Sequence, residues 1–319
     1  MELNNVLVLG GSGFVGCHVA HLLAERNCTV TVPTRRRERA KHLLVLPTVD
    51  VIEANIHDQA VLDRLVRGKD AVINLVGMLH SRHGSPYGPD FAQAHVELPR
   101  KLAAACRKAG VRRLVHISAL NASSAGPSQY LRSKGDGERV LLEQQEHLDL
   151  TLFRPSVMFG PGDSFLNRFA GLLKWAPVFP IGRAEARFQP VFVEDVGHVI
   201  VDSLTRLDAL GQIYPLCGPK VYTLRQLVQY VGEVTGHRRP VIGLPETLAR
   251  LQAGVLELLP VKLMSVDNLD SMDVDAVCPE GCTLPFGHVP TALEAVGPLY
   301  LGQRVPRRRY YGFRVKARR

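Results

Sequence analysis

The chain has 319 residues, of which 46% are hydrophobic, and a formal net charge of +9. A chain of this length can bury one large core, or one core with a smaller lobe attached to it. It contains no run of about eighteen apolar residues, which a spanning helix needs, and no signal-peptide pattern at its start. These features argue against a membrane-spanning or secreted protein. We expect a globular protein in the cytoplasm, or in an organelle matrix if a presequence has been removed.

The excess positive charge lies at the C-terminal end. From Ala295 onward the sequence has eight basic residues and no acidic one, which leaves a net charge of +1 for the rest. Aromatic residues are interleaved with the basic ones in RRRYYGFRVKARR (307–319). Residues 304–319 are predicted either to bind an anionic surface at the inner face of a membrane or an acidic partner, or to form a solvated tail. Nucleic acid is not an expected partner, because the excess charge does not extend onto the rest of the chain.

Short apolar runs alternate with helical patterns over the first 160 residues. Residues 6–10 predict a buried strand, a helical stripe follows, and residues 28–32 predict a second strand, which together make a βαβ unit. The alternation continues with strands predicted at 49–54, 70–77, 113–118 and 151–160 and helices near 59–67, 91–109 and 130–147. Strands that are apolar on both faces and separated by helices are typical of a parallel sheet covered on both sides. The predicted fold class is α/β, a doubly wound parallel sheet of the Rossmann type.

The pattern loosens after residue 160, where prolines become frequent. Residues 188–204 predict a last strand and helix that return to the main sheet. We assign 1–160 and 188–205 to a dinucleotide-binding domain. We assign 161–187 and 206–303 to a smaller, mixed lobe that closes over the edge of the sheet and provides the substrate or partner site.

A glycine-rich turn joins the first predicted strand to the first helix. The turn contains Gly10, Gly13 and Gly16. Gly10 permits a tight turn, Gly13 lets the backbone approach a pyrophosphate, and Gly16 lets the helix pack against the sheet. The start of the helix offers free N–H groups and a partial positive charge to phosphates. In this strand-turn-helix context the spacing predicts dinucleotide binding.

The end of the second predicted strand indicates which dinucleotide is bound. An acidic residue at this point accepts hydrogen bonds from the ribose of NAD, whereas this sequence reads Pro33-Thr34-Arg35-Arg36-Arg37. A guanidinium group can bind a 2′-phosphate through two parallel hydrogen bonds. NADP(H) is therefore favoured over NAD(H), and the alternative is an exposed basic helix start without a ligand.

Three residues are candidates for catalysis. Tyr130 and Lys134 are four positions apart at the start of a predicted helix, which puts the phenol and the ammonium on one face. A nearby lysine favours the phenolate and lowers the pKa of the tyrosine, as a general acid–base at neutral pH requires. Ser118 ends a predicted strand at the edge where ligands of such sheets bind, and its hydroxyl could polarise a substrate carbonyl.

Two clusters resemble metal sites, but each has a plainer interpretation. Cys278, Cys282 and His288 lack a second cysteine pair at zinc spacing, so an ordinary turn is favoured. A group of acids alternates with apolar residues at helical spacing and is expected on the solvated face of a helix: Asp267, Asp270, Asp273 and Asp275. We predict no metal. The six cysteines are scattered, which fits a reducing compartment.

The glycine turn, the arginine after the second strand and several longer strings carry a family resemblance. Among these strings are NLVG (74–77), HISALNA (116–122), YLRSK (130–134) and RPSVMFGPGD (154–163). Because of these motifs the chain resembles the extended, atypical short-chain dehydrogenase/reductases, which are NAD-dependent epimerase/dehydratase-like proteins. AHVELPRKLAAACRKAGVRRLVHISALNA (94–122) and RFQPVFVEDV (187–196) resemble the branch that contains the nucleotide-binding accessory subunit of respiratory complex I and its bacterial relatives.

The resemblance implies roles for individual residues. Ser118, Tyr130 and Lys134 match the catalytic serine, tyrosine and lysine of the family. Arg35 matches the contact with the 2′-phosphate. The residues that the resemblance and the motifs together assign to the cofactor are Gly10, Ser12, Gly13, Phe14, Val15, Gly16, Arg35, Arg36, Asn55, Ile56, Leu75, Val76, Gly77, Tyr130, Lys134, Pro155 and Val157.

Two departures from the family pattern bear on the site. Asn55 stands where members often carry an aspartate for the adenine amino group, and its amide oxygen can still accept that hydrogen bond. His95 and Val96 stand where many members carry an asparagine, which puts a proton relay through this position in doubt.

Two functions follow. In the first, the chain holds NADP(H) in a structural or regulatory role and docks on a respiratory complex or a membrane surface, as the branch resemblance implies. In the second, it is an active NADP-dependent oxidoreductase or epimerase that uses Ser118, Tyr130 and Lys134 on a small carbonyl or hydroxyl substrate. The intact Ser-Tyr-Lys set favours the second, although the same residues also suit ribose binding.

Overall fold

The computed structural model describes residues 3–257 and 264–302. The predictions for the tail at 304–319 therefore concern residues outside the described ranges. The strands are β1 (Asn5–Leu9), β2 (Thr29–Thr34), β3 (Val49–Glu53), β4 (Ala71–Asn74), β5 (Arg113–Ile117), β6 (Asp149–Pro155), β7 (Met158–Phe159), β8 (Phe179–Ile181), β9 (Arg187–Phe188), β10 (Val191–Phe192), β11 (Gln212–Leu216), β12 (Tyr222–Thr223) and β13 (Val241–Gly243). The α-helices are α1 (Phe14–Glu25), α2 (Gln59–Val66), α3 (Pro89–Phe91), α4 (Leu98–Ala109), α5 (Gln129–Leu142), α6 (Leu166–Leu172), α7 (Val193–Ser203), α8 (Leu224–Thr235), α9 (Glu246–Glu257), α10 (Val266–Ser271) and α11 (Leu293–Leu301). A π-helical segment (Ala92–Glu97) joins α3 to α4.

Seven strands form one parallel sheet in the order β11-β6-β5-β4-β1-β2-β3. Val6 of β1 pairs with Val30 of β2 on one side and with Ala71 of β4 on the other. The strand order reverses between β1 and β4, and a crevice at such a reversal is where ligands of these sheets bind. The predicted doubly wound parallel sheet of the Rossmann type is confirmed.

Helices cover both faces of the sheet, which explains why its strands are apolar throughout. Val6 and Val8 of β1 belong to a buried cluster with α1 and α7. Leu7 and Leu9 belong to a second cluster on the opposite face, with α2, α4 and α5. Because successive side chains of a strand point to opposite faces, the run VLVL has to be apolar at every position.

Two details of the predicted domain boundaries are corrected. β11 lies within 206–303, the range assigned to the smaller lobe, yet it is the edge strand of the main sheet beside β6. The strands within 188–204 do not join that sheet, since β10 pairs with β7 and β9 pairs with β12. The reason is that β6 already has β5 and β11 as its two neighbours. The helix α7 does return to the sheet and packs against α1.

The smaller lobe has a buried cluster of its own. Its side chains come from α6, α8 and α11 and from the strand pairs β8–β13 and β9–β12. Phe14 and Val15, at the start of α1, pack against this cluster. The lobe therefore touches the glycine turn directly. No helix in the described ranges has both the length and the apolar character that crossing a bilayer requires.

A disulfide links the two parts of the chain. Cys217, directly after β11, is bonded to Cys278 in the smaller lobe. This pairing brings together two cysteines that are 61 residues apart in the sequence. It also removes Cys278 from the zinc alternative, and His288 instead shares a hydrogen bond with Asp202 at 2.7 Å.

Arg113 is a buried cation that connects β5 to the end of α7. Its guanidinium donates to the carbonyl oxygens of Ser203 (2.7 Å), Leu204 (3.3 Å) and Asp149 (2.6 Å) and to Oγ1 of Thr151 (2.9 Å). Burial lowers the pKa of Arg113 to about 10, so the side chain stays charged at neutral pH. A positive charge is favourable at the C-terminal end of a helix.

Arg113→Lys is expected to lower the free energy of unfolding by about 3 kcal/mol, because one ammonium group cannot reach all four acceptors. The matched control is Arg112→Lys. Arg112 is exposed and pairs with the Asp149 carboxylate at 3.0 Å, so its replacement should change stability by less than about 0.5 kcal/mol. Urea unfolding of both variants checks this, and equal losses would contradict the role given to Arg113.

Candidate functional site

The glycine turn between β1 and α1 is packed too closely for larger residues. Gly10 has a positive φ of 78°, and a Cβ added there would lie 3.0 Å from the carbonyl carbon of Leu75. A Cβ added at Gly16 would lie 2.2 Å from the carbonyl oxygen of Gly10. Gly13 is the N-cap of α1, and no side chain caps the helix. The first amides of α1 are therefore available to an anionic ligand, so the turn fits a pyrophosphate.

The predicted site residues lie at the carboxyl ends of parallel neighbouring strands, and therefore at one edge of the sheet. The strands β1 to β6 end directly before, or within two residues of, the segments expected to bind the cofactor. Contacts across the edge join these segments. Leu75 donates its N–H to the carbonyl of Leu9 at 2.9 Å, and Leu120 donates to the carbonyl of Pro155 at 3.0 Å.

Basic side chains gather at the β2–β3 end of this edge. Arg35 and Arg36 follow β2 and are exposed, and Asn55 follows β3. Lys101 of α4 donates to the carbonyl of His57 at 2.6 Å. Burial and the charges of Lys101 and Arg35 lower the pKa of His57. Arg35, His57 and Lys101 thus make up a basic cluster, with the carboxylate of Glu97 acting on His57 in the opposite direction. Of these residues only Arg35 has a recognisable sequence signal.

A buried histidine fixes the loop that follows β4. The Met78 N–H donates to Nε2 of His95 at 3.1 Å, so the proton of the neutral ring is on Nδ1 and is donated to Oγ of Ser133 at 2.8 Å. Burial and the charge of Lys134 hold the pKa of His95 well below its ordinary value. His95 therefore joins the loop to α5 as a neutral group. Both ring nitrogens of His95 are thus engaged, one by Met78 and the other by Ser133. This arrangement leaves neither nitrogen free for the proton relay that was in doubt.

Ser118 and Lys134 lie close to each other beneath the edge of the sheet. Nζ of Lys134 donates to the carbonyl of Ile117 at 3.2 Å, and a Cβ added at Gly77 would lie 3.5 Å from the same Nζ. Burial lowers the pKa of Lys134 to about 8. Oγ of Ser118 is buried and has no hydrogen-bond partner among the described residues. A ligand with a carbonyl or hydroxyl group would satisfy this oxygen.

The pKa of Tyr130 differs from the sequence-based expectation. Burial and the charge of Asp267 raise it to about 12. The ring packs edge-on against Phe91 and His95, and Lys134 donates to a backbone carbonyl. The expected lowering of the tyrosine pKa by the lysine is therefore not seen in this structure, where burial and Asp267 set the direction of the shift.

Asp267 is a site residue that the sequence did not indicate. Its carboxylate accepts hydrogen bonds from the N–H groups of Gln129 (2.6 Å) and Tyr130 (3.2 Å) at the start of α5. Oγ of Ser271 lies 2.8 Å from Oγ of Ser128, so α10 is attached to α5 at two points. The predicted helix is confirmed as α10 for Asp267 and Asp270, whereas Asp273 and Asp275 lie after its end, and Asp267 faces protein. No local signal could have found a contact across 137 residues.

The other acids of this segment also have protein partners. Asp270 pairs with Arg250 at 2.9 Å, Asp273 pairs with Arg183, and Asp275 lies 3.7 Å from a guanidinium nitrogen of Arg187. Each carboxylate is thereby neutralised by an arginine. The cation alternative for these acids has no support in the described part of the chain.

Fold and site together define a dinucleotide-binding protein with a doubly wound sheet, a glycine turn at the start of α1 and a Ser-Tyr-Lys set at the same edge. The family model described as the NAD dependent epimerase/dehydratase family matches residues 6–217. The chain belongs to this family, whose members bind nicotinamide dinucleotides.

Similar proteins agree with this assignment. The chain is 34% identical over 238 residues to NADH dehydrogenase (ubiquinone) 1 alpha subcomplex subunit 9, mitochondrial, of Rattus norvegicus, covering 72% of this chain and 61% of the relative. It is 29% identical over 267 residues to the NADH-ubiquinone oxidoreductase 40 kDa subunit, mitochondrial, of Neurospora crassa, covering 82% of this chain and 69% of the relative. The chain thus spans about six-tenths of the rat protein. The fold matches MoeE5 in complex with UDP-glucuronic acid and NAD, with a TM-score of 0.64, 22% identity and coverage of 76% and 85%.

Gly16→Ala is expected to lower the free energy of unfolding by about 3 kcal/mol, because its Cβ would overlap the Gly10 carbonyl and push α1 away from the turn. Gly171→Ala in α6 is the control, since nothing lies within 4 Å of its added Cβ. That change should be neutral or stabilising by up to about 1 kcal/mol. Urea unfolding measures both, and a mild effect at Gly16 would show that the turn can open.

Proposed function

We propose that the chain holds NADP(H) as a structural or regulatory ligand at a respiratory complex or membrane surface, in the cytoplasm and peripheral to the inner face of the membrane. Membership of a dinucleotide-binding family and similarity to complex I subunits support the proposal. In this proposal the glycine turn holds the pyrophosphate, the loop after β4 contacts the adenosine, and Lys134 holds the nicotinamide ribose. When bound, a nicotinamide supplies hydride chemistry.

The state of Tyr130 is the observation that carries a holding role. A phenol that acts as acid and base at neutral pH needs a pKa near neutrality. Burial and Asp267 instead raise the pKa of Tyr130 to about 12, and α10 is attached to the start of the helix that bears it. A protonated phenol on a helix that is held in this way suits hydrogen bonding to a held ligand.

The preference for NADP(H) is supported by the basic cluster after β2. Arg35, His57 and Lys101 lie together at the adenosine end, and no acid follows β2 within the first three residues. A 2′-phosphate would pair with the exposed Arg35, whereas the ribose hydroxyls of NAD carry no charge to offer it. The basic tail at 304–319 is proposed as one contact with the acidic partner or surface.

A working oxidoreductase or epimerase is the second candidate, and Ser118 favours it. A buried hydroxyl without a partner is costly unless a ligand pairs with it. Ser118 would orient a small carbonyl or hydroxyl substrate, and Tyr130 would hold the proton to be transferred. This reading requires that ligand binding displaces Asp267 or otherwise lowers the pKa of Tyr130.

Arg35→Ala is expected to weaken NADP(H) binding about tenfold or more and to leave NAD(H) binding nearly unchanged. The reason is that only NADP(H) carries a 2′-phosphate with which the Arg35 guanidinium can form hydrogen bonds. Isothermal titration with both nucleotides measures this. The exposed Arg107→Ala, at the far end of α4, is the control for a general loss of positive charge. Equal weakening of both nucleotides by Arg35→Ala would remove the NADP assignment.

The holding role is tested by purifying the protein without added nucleotide, identifying what it releases and timing the exchange against free NADPH. We expect one NADP(H) per chain that exchanges slowly. Tyr130→Phe should retain the nucleotide, and Lys134→Met should release it faster, since the lysine holds the ribose. A weakly bound, rapidly exchanging nucleotide would favour the oxidoreductase instead.

A further inference from the structure

The helix α9 has an apolar stripe that faces away from the protein. Leu248, Leu251 and Val255 are 50%, 65% and 56% exposed, and they recur at a spacing that puts them on one side of the helix. Ala249 and Ala253, on another side, are buried. An amphipathic surface helix normally turns its apolar side toward the core. An apolar stripe that faces outward therefore indicates an interaction surface.

The stripe continues onto the neighbouring strand pair. Gln252 of α9 donates to the carbonyl of Pro180 in β8 at 3.1 Å, and Pro180 pairs in register with the exposed Ile242 of β13. Val178 and Trp175 lie two and five residues before Pro180 in the chain, and Trp175 is 89% exposed. We call this surface the apolar face, and its residues are Trp175, Val178, Ile242, Leu248, Leu251 and Val255.

The positive charge of the apolar face lies at its Trp175 end, where Arg239 donates to the carbonyl of Leu173, whereas α9 itself has two acids and one base. The segments 164–184 and 236–245 contain basic residues but no acid. Lys174, beside Trp175, is exposed and has no acidic partner within the described ranges. The acid Glu246 of α9 is paired with Arg183 and Arg250. A ligand of this face therefore has to be apolar at its centre and anionic at its border.

We infer that the apolar face docks on a lipid bilayer that contains anionic headgroups. Aliphatic side chains enter the interface, Trp175 lies at the level of the headgroups as tryptophan does in membrane proteins, and Lys174 contacts the lipid phosphates. A second copy of the chain fits less well, because symmetric contact would bring the same positive charges together. The inference deepens the membrane contact of the proposed function and rests on it in that respect, but none of the residues of the apolar face belongs to the nucleotide site, so nucleotide binding is tested independently.

Trp175 is the only tryptophan of the chain, so its fluorescence reports on the apolar face alone. The full chain is titrated with vesicles of phosphatidylcholine and phosphatidylglycerol, with and without brominated acyl chains. We expect the emission to shift to shorter wavelength and to be quenched by the brominated lipid. Leu251→Glu should weaken binding about tenfold, because it removes an apolar contact and adds a charge that anionic lipid repels. Leu207→Glu, at a leucine outside the face that is 83% exposed, should bind as the unaltered chain does.

Three results would overturn the inference. Sedimentation with vesicles without any change in Trp175 emission would assign membrane binding to another part of the chain, such as the tail. A shift that depends on protein concentration and not on lipid would assign the face to self-association. If the chain does not bind vesicles at all, the apolar face does not dock on a bilayer and a protein partner would be its occupant. None of these results bears on nucleotide exchange, so the proposed function is tested separately.

Discussion

The close approach of α1 to the turn after β1 is the constraint on which the candidate site depends. The Gly16 Cα packs so near the Gly10 carbonyl that no side chain fits between them, and the backbone of Leu75 closes the turn from the other side. This packing sets the position of the uncapped start of α1 relative to the ends of β1 and β4. A pyrophosphate site made from backbone amides needs such a fixed arrangement, because amides carry no flexible side chain that could adjust to the ligand.

Around this turn, the buried histidines are neutral and the buried lysine is held by a backbone carbonyl. His95 is kept neutral between the loop after β4 and α5, and burial lowers the pKa of His116 to about 3. His116 of β5 shares a hydrogen bond with Asn74 at 3.0 Å, and this contact fixes the side chain at the end of β4. Lys134 is then the only cation in this buried layer of the described residues, and it is held by the Ile117 carbonyl. A site of this kind is rigid, which suits the retention of a ligand as well as catalysis.

The smaller lobe determines how accessible the Ser-Tyr-Lys set is. Its α10 caps the helix that bears Tyr130, and the segment after α10 is attached to the main sheet by the disulfide between Cys217 and Cys278. Asn121 and Ser156 donate to backbone carbonyls of the same segment, at 2.8 Å in both cases. These contacts hold the lobe against the edge of the sheet where a substrate would enter. The catalytic and the holding roles therefore differ in whether this segment moves.

The sequence by itself determined the features that arise from residues near each other in the chain. The alternation of strands and helices, the glycine turn and the spacing of Tyr130 and Lys134 are local patterns, and each predicted the observed element because backbone geometry alone dictates it. Only the tertiary structure decided the membership of β11 in the main sheet, the Cys217–Cys278 bond, the basic cluster that includes Lys101, and the effect of Asp267 on Tyr130. All four depend on contacts between segments that are distant in the chain, and the effect on Tyr130 depends also on its removal from water; the spacing of residues along the chain encodes neither.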